Sequence, residues 1–168
     1  LTQANSSKII IAGMSTTIEA FLDLDGEYLA GKSTSIIIDT IENLKYLICI
    51  LNSSLISFFI NIYYHSLKMS GGYLNITPDI INNLPIIVIE KKTENFLYFS
   101  SYTLFLFNKQ TIFEMDKLIS TYFEQIIDGM VYELYLPELI EKYDCEIIKY
   151  LGELPEFTES MRDEEKME

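Results

Sequence analysis

The first apolar run, KIIIAGM at 8–14, is rich in isoleucine and predicts a central strand. IEAFLDL at 18–24 follows a short Ser/Thr segment and predicts a second. Asp25-Gly26 is a hairpin turn signal, EYLA resumes the chain beyond it, and SIIID at 35–39 predicts a further strand. The first forty residues read as a small antiparallel meander. The apolar period then lengthens. Tyr46, Leu47, Ile50, Leu51, Leu55, Phe58, Phe59 and Ile62 recur at helical spacing, so one long helix is expected from Leu44 to about Tyr64, with Asn43 as its cap. Asn52, Ser53 and Ser57 occupy other positions, facing solvent or a neighbouring strand. Phe58, Phe59, Tyr63 and Tyr64 are expected in the core rather than as a ligand platform.

Ser70, Gly71 and Gly72 form a flexible turn, and Tyr73 to Ile76 alternate like a short strand. Thr77-Pro78 starts a helix, with threonine as N-cap and proline at N1. Leu84-Pro85 ends it, and residues 86–89 extend again. FLYFSSYTLFLF at 96–107 fits either a strand pair or an apolar segment packed on the core. From Thr111 to Leu136 the period is helical, and Gly129 weakens that helix without ending it. Pro137 opens another helical stretch that is expected to break at Asp144 and end near Gly152. TESMRDEEKME at 158–168 is a charged tail. The expected fold class is α+β: a small antiparallel β-meander packed with a long apolar helix, followed by a mainly helical C-terminal segment. No internal repeat is visible.

Of the 168 residues, 49% are hydrophobic, enough to fill a core. The run ICILNSSLISFFINIYYH raises a membrane question. Asn52, Ser53, Ser54, Ser57 and Asn61 interrupt it, so a buried helix is expected rather than a span. No basic segment precedes an apolar stretch and a small-residue cleavage site, so no secretory signal is expected. The start at Leu1 rather than Met suits an excised piece of a longer protein or a processed chain. The net charge of −13 is uneven. Residues 1–92 hold six lysines and eight acids, net −2; residues 93–168 hold six bases and 17 acids, net −11. Electrostatics therefore disfavours an autonomous nucleic-acid binder in the second half, whereas a local basic face is possible in the first.

The residues offer little chemistry of their own. GMSTT is too short for a dinucleotide or phosphate-binding loop. Asp23-Leu24-Asp25-Gly26-Glu27 lacks the frame of a calcium loop and reads as a polar turn. His65, the single histidine, has no acid or nucleophile nearby in sequence. Cys49 reads as a buried small hydrophobe, and neither it nor Cys145 has a metal-ligand partner. Asp128, Glu133, Glu138 and Glu141 read as a solvated helical face. The Gly71-Gly72 turn can bring backbone N–H groups near a phosphate or base edge, or serve as an ordinary tight connection.

Taken in order, several pieces resemble one family. They are KIII at 8–11, DGEYLAGKSTSIII at 25–38, NLKYLICILNSSLISFFI at 43–60, SGGYLNITPDIINNLPI at 70–86 and FEQIIDGMVYELYLPELI at 123–140. In this order they resemble the TaqI-like C-terminal specificity domain, the target-recognition region of adenine-specific DNA methyltransferases and fused type II restriction–modification proteins. The resemblance implies a target-recognition core at 1–92, a mainly helical segment at 93–157 packed on it, and the flexible tail at 158–168. It implies double-stranded DNA as a partner, bound weakly in isolation, and a methyltransferase domain of the same parent chain. S-adenosylmethionine and the Asn-Pro-Pro-Tyr motif belong to that other domain. This sequence has neither the motif nor a methyl-donor loop, so no catalytic residue, cofactor or metal is assigned here. A bacterial or archaeal cytoplasm, with no membrane partner, is the implied setting.

The candidate DNA-binding residues are Lys8, Lys32, Lys45 and Lys68 for phosphates; Ser33, Thr34, Ser35, Asn75 and Thr77 for neutral readout; and Gly71 and Gly72 for backbone approach. The family's first strand commonly carries Arg or Lys just after its start, where this chain has Ala12-Gly13-Met14. The competing reading is an acidic protein-interaction module without DNA contact. One face holding Lys8, Lys32, Lys68 and the Gly71-Gly72 turn favours DNA, whereas scattered lysines and a broad apolar patch favour protein docking. A third reading, an independent small enzyme, needs a deep polar pocket around His65.

Overall fold

A computed structural model describes residues 5–88 and 114–151. The expected segment at 96–107 and the tail at 158–168 lie outside the described residues. The chain divides into two units, Leu1–Lys92 and Thr93–Glu168. The first carries β1 (Lys8–Ala12), β2 (Met14–Ser15), β3 (Ala20–Asp23), β4 (Thr34–Ile37), α1 (Ile41–Leu51), α2 (Ser54–Tyr63), β5 (Leu74–Asn75) and α3 (Pro78–Asn82). It is an α+β arrangement around a small antiparallel sheet.

The isoleucine-rich run takes the middle of that sheet, whose order is β3-β1-β4. Ile9 faces Leu22 on one side and Ile37 on the other; Ile11 faces Ala20 and Ser35. Ile9 and Ile11 are fully buried beneath α1, which packs on β1 and β3. The order corrects the expected meander. β4 pairs with β1 rather than with β3, because β1, apolar on both faces, takes the central place. A second correction concerns EYLA. Asp25-Gly26 bends the chain, with Gly26 at φ +69°, but no strand resumes there. Residues 24–33 instead form a connection between the two outer strands.

The long helix is also corrected: it is two helices whose axes turn by 62°. Thr40, not Asn43, caps α1, its hydroxyl accepting the Asn43 N–H. Asn52 ends α1, and the buried Ser53 caps α2 by accepting the Ile56 N–H. The break has a tertiary use. The Asn52 side-chain amide accepts from Ala20 N and donates to Ala20 O, both at 2.9 Å, and so continues the edge of β3 as a strand residue would. The kink also decides which aromatics reach the core. Leu44, Ile48, Cys49, Ile50, Leu51, Ile56 and Ile60 are buried, whereas Phe58 is 63% exposed and Tyr63 68%. Those two are therefore not core residues, contrary to the helical-period expectation. Among the described residues, no single helix is long and apolar enough to cross a membrane.

The described part of the second unit is helical: α4 (Glu114–Tyr135), α5 (Pro137–Lys142) and α6 (Ile148–Leu151). Gly129 does not interrupt α4. The Ile147 side chain rests on it, and a Cβ there would come within 2.7 Å of Ile147 Cδ1. The chain breaks after α5 with Asp144 at φ 52°, as the pattern predicted. Glu133, read as part of a solvated face, fastens the following segment, because its carboxylate accepts the N–H groups of Ile147 and Ile148 at 2.7 and 3.0 Å.

Candidate nucleic-acid interface

The end of β1 is where separate stretches of sequence meet. Beyond Ala12 the chain passes through Gly13 into β2, and β2 pairs with β5, Met14 opposite Asn75. The Ile76 N–H donates to Gly13 O at 2.9 Å and locks that pairing. From the other side Thr34 pairs with Ala12, which brings Ser33 onto Gly13. A Cβ at Gly13 would lie 2.0 Å from Ser33 O, so only glycine fits between the two segments. Of the candidate residues, Ser33 and Thr34 thus adjoin the Ala12-Gly13 end of β1, while Asn75 stands opposite Met14 in the separate two-stranded sheet β2-β5 that follows it. Ser33 and Asn75 are exposed, and Thr34 donates its hydroxyl to Gly31 O at 2.7 Å.

The Gly71-Gly72 turn leads directly into β5. Both glycines have positive φ, +83° and +81°. The Met69 N–H donates to Tyr73 O at 2.7 Å and the Gly72 N–H to Met69 O at 3.0 Å, so the loop closes on itself. Lys68, just before it, is half-buried and donates to the Asn61 side chain on α2. Thr77 caps α3 by accepting the Ile80 N–H. Lys45 lies half-buried in α1.

Lys8 is a correction. It stands at the opposite end of β1, paired in register with Asp23, and is only 1% exposed. Its Nζ donates to Asp23 Oδ2 at 2.5 Å and to Ser6 O at 3.3 Å. A buried, paired ammonium has no route to a phosphate, so Lys8 leaves the set of candidate contacts. Asp23 also accepts the N–H groups of Glu27 and Tyr28, each at 3.0 Å. Burial pushes its carboxyl up, but the bonds from Lys8, Tyr28 and Glu27 outweigh that and hold it below the ordinary carboxylate value.

Lys32 is exposed on the 24–33 connection, which also carries Asp25 and Glu27. That stretch is therefore not basic, and contact made from it falls to neutral hydroxyl groups and a single lysine. His65 is exposed in a short 3₁₀ turn at His65–Leu67. Among the described residues, no group of three His, Cys, Asp or Glu side chains could hold a metal ion. Sequence reasoning missed Gly13, Asp23 and Asn52. Each has a local signal: a glycine after an apolar strand, a charge inside a strand, and an Asn-Ser pair inside a helical period.

The model of the TaqI-like C-terminal specificity domain family matches residues 2–86. The match falls within the first unit and includes β1 to β5 and α3; the late segment at 123–140 lies beyond it. No curated protein matches the chain. With half of its length matched, including the sheet, the 24–33 connection and the Gly71-Gly72 turn, the chain belongs to the TaqI-like C-terminal specificity domain family.

Proposed function

We propose that the first unit reads DNA sequence for a site-specific N6-adenine DNA methyltransferase or a fused type II restriction–modification enzyme. The observation that carries this reading is the family match over residues 2–86. The placement of Ser33 and Thr34 beside Gly13, and of Asn75 opposite the adjoining Met14, supports it, since hydroxyl and amide side chains are suited to base edges. The chemistry belongs to another domain of the parent, which binds S-adenosylmethionine and flips the adenine. The division is physically reasonable, because a flipped base needs an enclosed pocket while site selection needs a surface along the duplex. The setting is a bacterial or archaeal cytoplasm, with duplex DNA and the methyltransferase domain as partners.

A titration of the chain with duplex at low and at physiological salt tests this. Few lysines serve the proposed surface, so weak binding with a shallow but measurable salt slope is expected. No binding at low salt refutes the reading. With labelled S-adenosylmethionine and mixed-sequence duplex, the chain alone is expected to transfer no methyl group.

A second reading has its own observation. Phe58, Ile62 and Tyr63 on α2 are exposed, as are Leu67, Met69 and Tyr73 after it. Phe59 stacks on Tyr63 at 5.2 Å between centroids. An aromatic and aliphatic row of this kind suits a protein surface better than a phosphate backbone. It favours protein docking through α2, alone or beside DNA contact at the end of β1.

A further inference from the structure

The connection from β3 to β4 has an unusual course for an exposed loop. β3 ends opposite Lys8, at the start of β1, and β4 begins opposite Ala12, at its end. Residues 24–33 therefore travel the length of β1, about 13 Å for a five-residue strand. Glu27 to Ser33 are all exposed, Leu29 at 80%. A stretch this exposed, with two glycines, would ordinarily be free to rearrange.

It is fastened instead at both ends. At the far end Thr34 N and Oγ1 both donate to Gly31 O, and Ser33 sits against Gly13. At the near end the Asp23 carboxylate takes the N–H groups of Glu27 and Tyr28, and Lys8 holds that carboxylate from below. Ser7 donates to Leu24 O at 2.5 Å, and Gly26 lies against the backbone of Asn5. Tyr28 also packs edge-on against Phe21 at 5.1 Å. Only Leu29 and Ala30 are left between the Tyr28 and Gly31 fastenings.

We propose that Lys8 and Asp23 are a positioning pair, which touches no DNA but holds the 24–33 connection in one conformation so that Lys32, Ser33 and Thr34 meet the duplex already ordered. This rests on the DNA-reading function proposed above. A buried ion pair is a poor way to gain stability, since apolar side chains of similar volume serve as well. What an apolar pair cannot supply is an acceptor for two loop N–H groups. An ordered loop avoids the entropy cost that binding otherwise meets.

The test uses the full chain with the double substitution Lys8→Met and Asp23→Leu, which keeps the interior filled and removes the acceptor. Amide exchange at Glu27 and Tyr28 should accelerate about a hundredfold while the amides of Ile9 to Ile11 keep their protection. Affinity for duplex should fall about tenfold with the salt slope unchanged, because no phosphate contact is lost. The companion variant Lys8→Met with Asp23→Asn retains one side-chain oxygen, for the Glu27 N–H alone, since Glu27 and Tyr28 donate to different oxygens of Asp23; it should restore protection at Glu27 but not at Tyr28 and recover only part of the affinity. Unchanged exchange at Glu27 and Tyr28, or faster exchange with unchanged affinity, overturns the proposal. A salt slope lower by about one also overturns it, since a phosphate contact, from Lys8 or from Lys32, would then be missing from the bound state rather than an ordering cost added to it. Loss of protection throughout the sheet in both doubles makes the pair a folding element and overturns it too. A wild-type chain that binds no duplex refutes the DNA reading and with it the positioning role, whereas the exchange result alone would still report the anchor.

Discussion

Gly13→Ala tests the construction of the interface in one atom. The new Cβ would stand 2.0 Å from Ser33 O and 2.8 Å from its carbonyl carbon, where ordinary contact begins at 3.4 Å. The obstacle is backbone, so no rotamer change relieves it. Either β4 withdraws from β1 at the Ala12–Thr34 pair, or Gly13 moves and stretches the 2.9 Å bond from Ile76 N. Forcing one extra carbon into a packed site costs about 1–3 kcal/mol. Losing the bond adds about 1 kcal/mol. The sum, about 2–4 kcal/mol, is a large part of what a domain this size has. Urea denaturation of the full chain measures it, and a Tm lower by about 10 °C or more should accompany it. Gly31→Ala is the control, because nothing lies within 4 Å of a Cβ there. It should change stability by less than about 1 kcal/mol, in the stabilising direction. A Gly13→Ala protein within about 0.5 kcal/mol of the parent would refute the close approach.

Asn52→Ala removes both bonds to Ala20 and should cost about 1–2 kcal/mol in urea, more than Asn82→Ala on the exposed face of α3. Asp23 makes stability depend on acid. Its folded carboxyl titrates below the unfolded one, so its contribution is complete above the unfolded value and is lost as pH falls through the folded one. Urea midpoints between pH 7 and pH 3 should show this loss, and Lys8→Met with Asp23→Leu should abolish that part of it. In the full-length parent, Lys68→Glu should weaken binding to all duplexes alike and lower the salt slope. Gly72→Val should impair modification, but its φ of +81° makes it strain the turn as well, so methylation rate must be read beside thermal melting.

Much of this protein is written locally. The isoleucine run of β1, the Thr77-Pro78 start of α3, the turn at Gly71-Gly72 and the break at Asp144 all follow from residues adjacent in sequence. Periodicity and capping act over three or four positions, and a sequence displays them directly. The order of residues also carried the family, over the part matched at 2–86. Pairing was beyond that reach. That β4 lies beside β1, that Asn52 completes β3 from 32 residues away, and that Ser33 presses on Gly13 are contacts between distant segments. The kink at Asn52–Ser53 shows the limit best. An unbroken helical period predicts one helix with Phe58 and Tyr63 inside, yet the bonds available to Asn52 and Ser53 turn α2 by 62° and leave both aromatics outside. Lys8 changed most: in sequence it is a lysine in a nearly neutral half. Only the strand register places it against Asp23, where a buried charge must be paired and is closed to a phosphate.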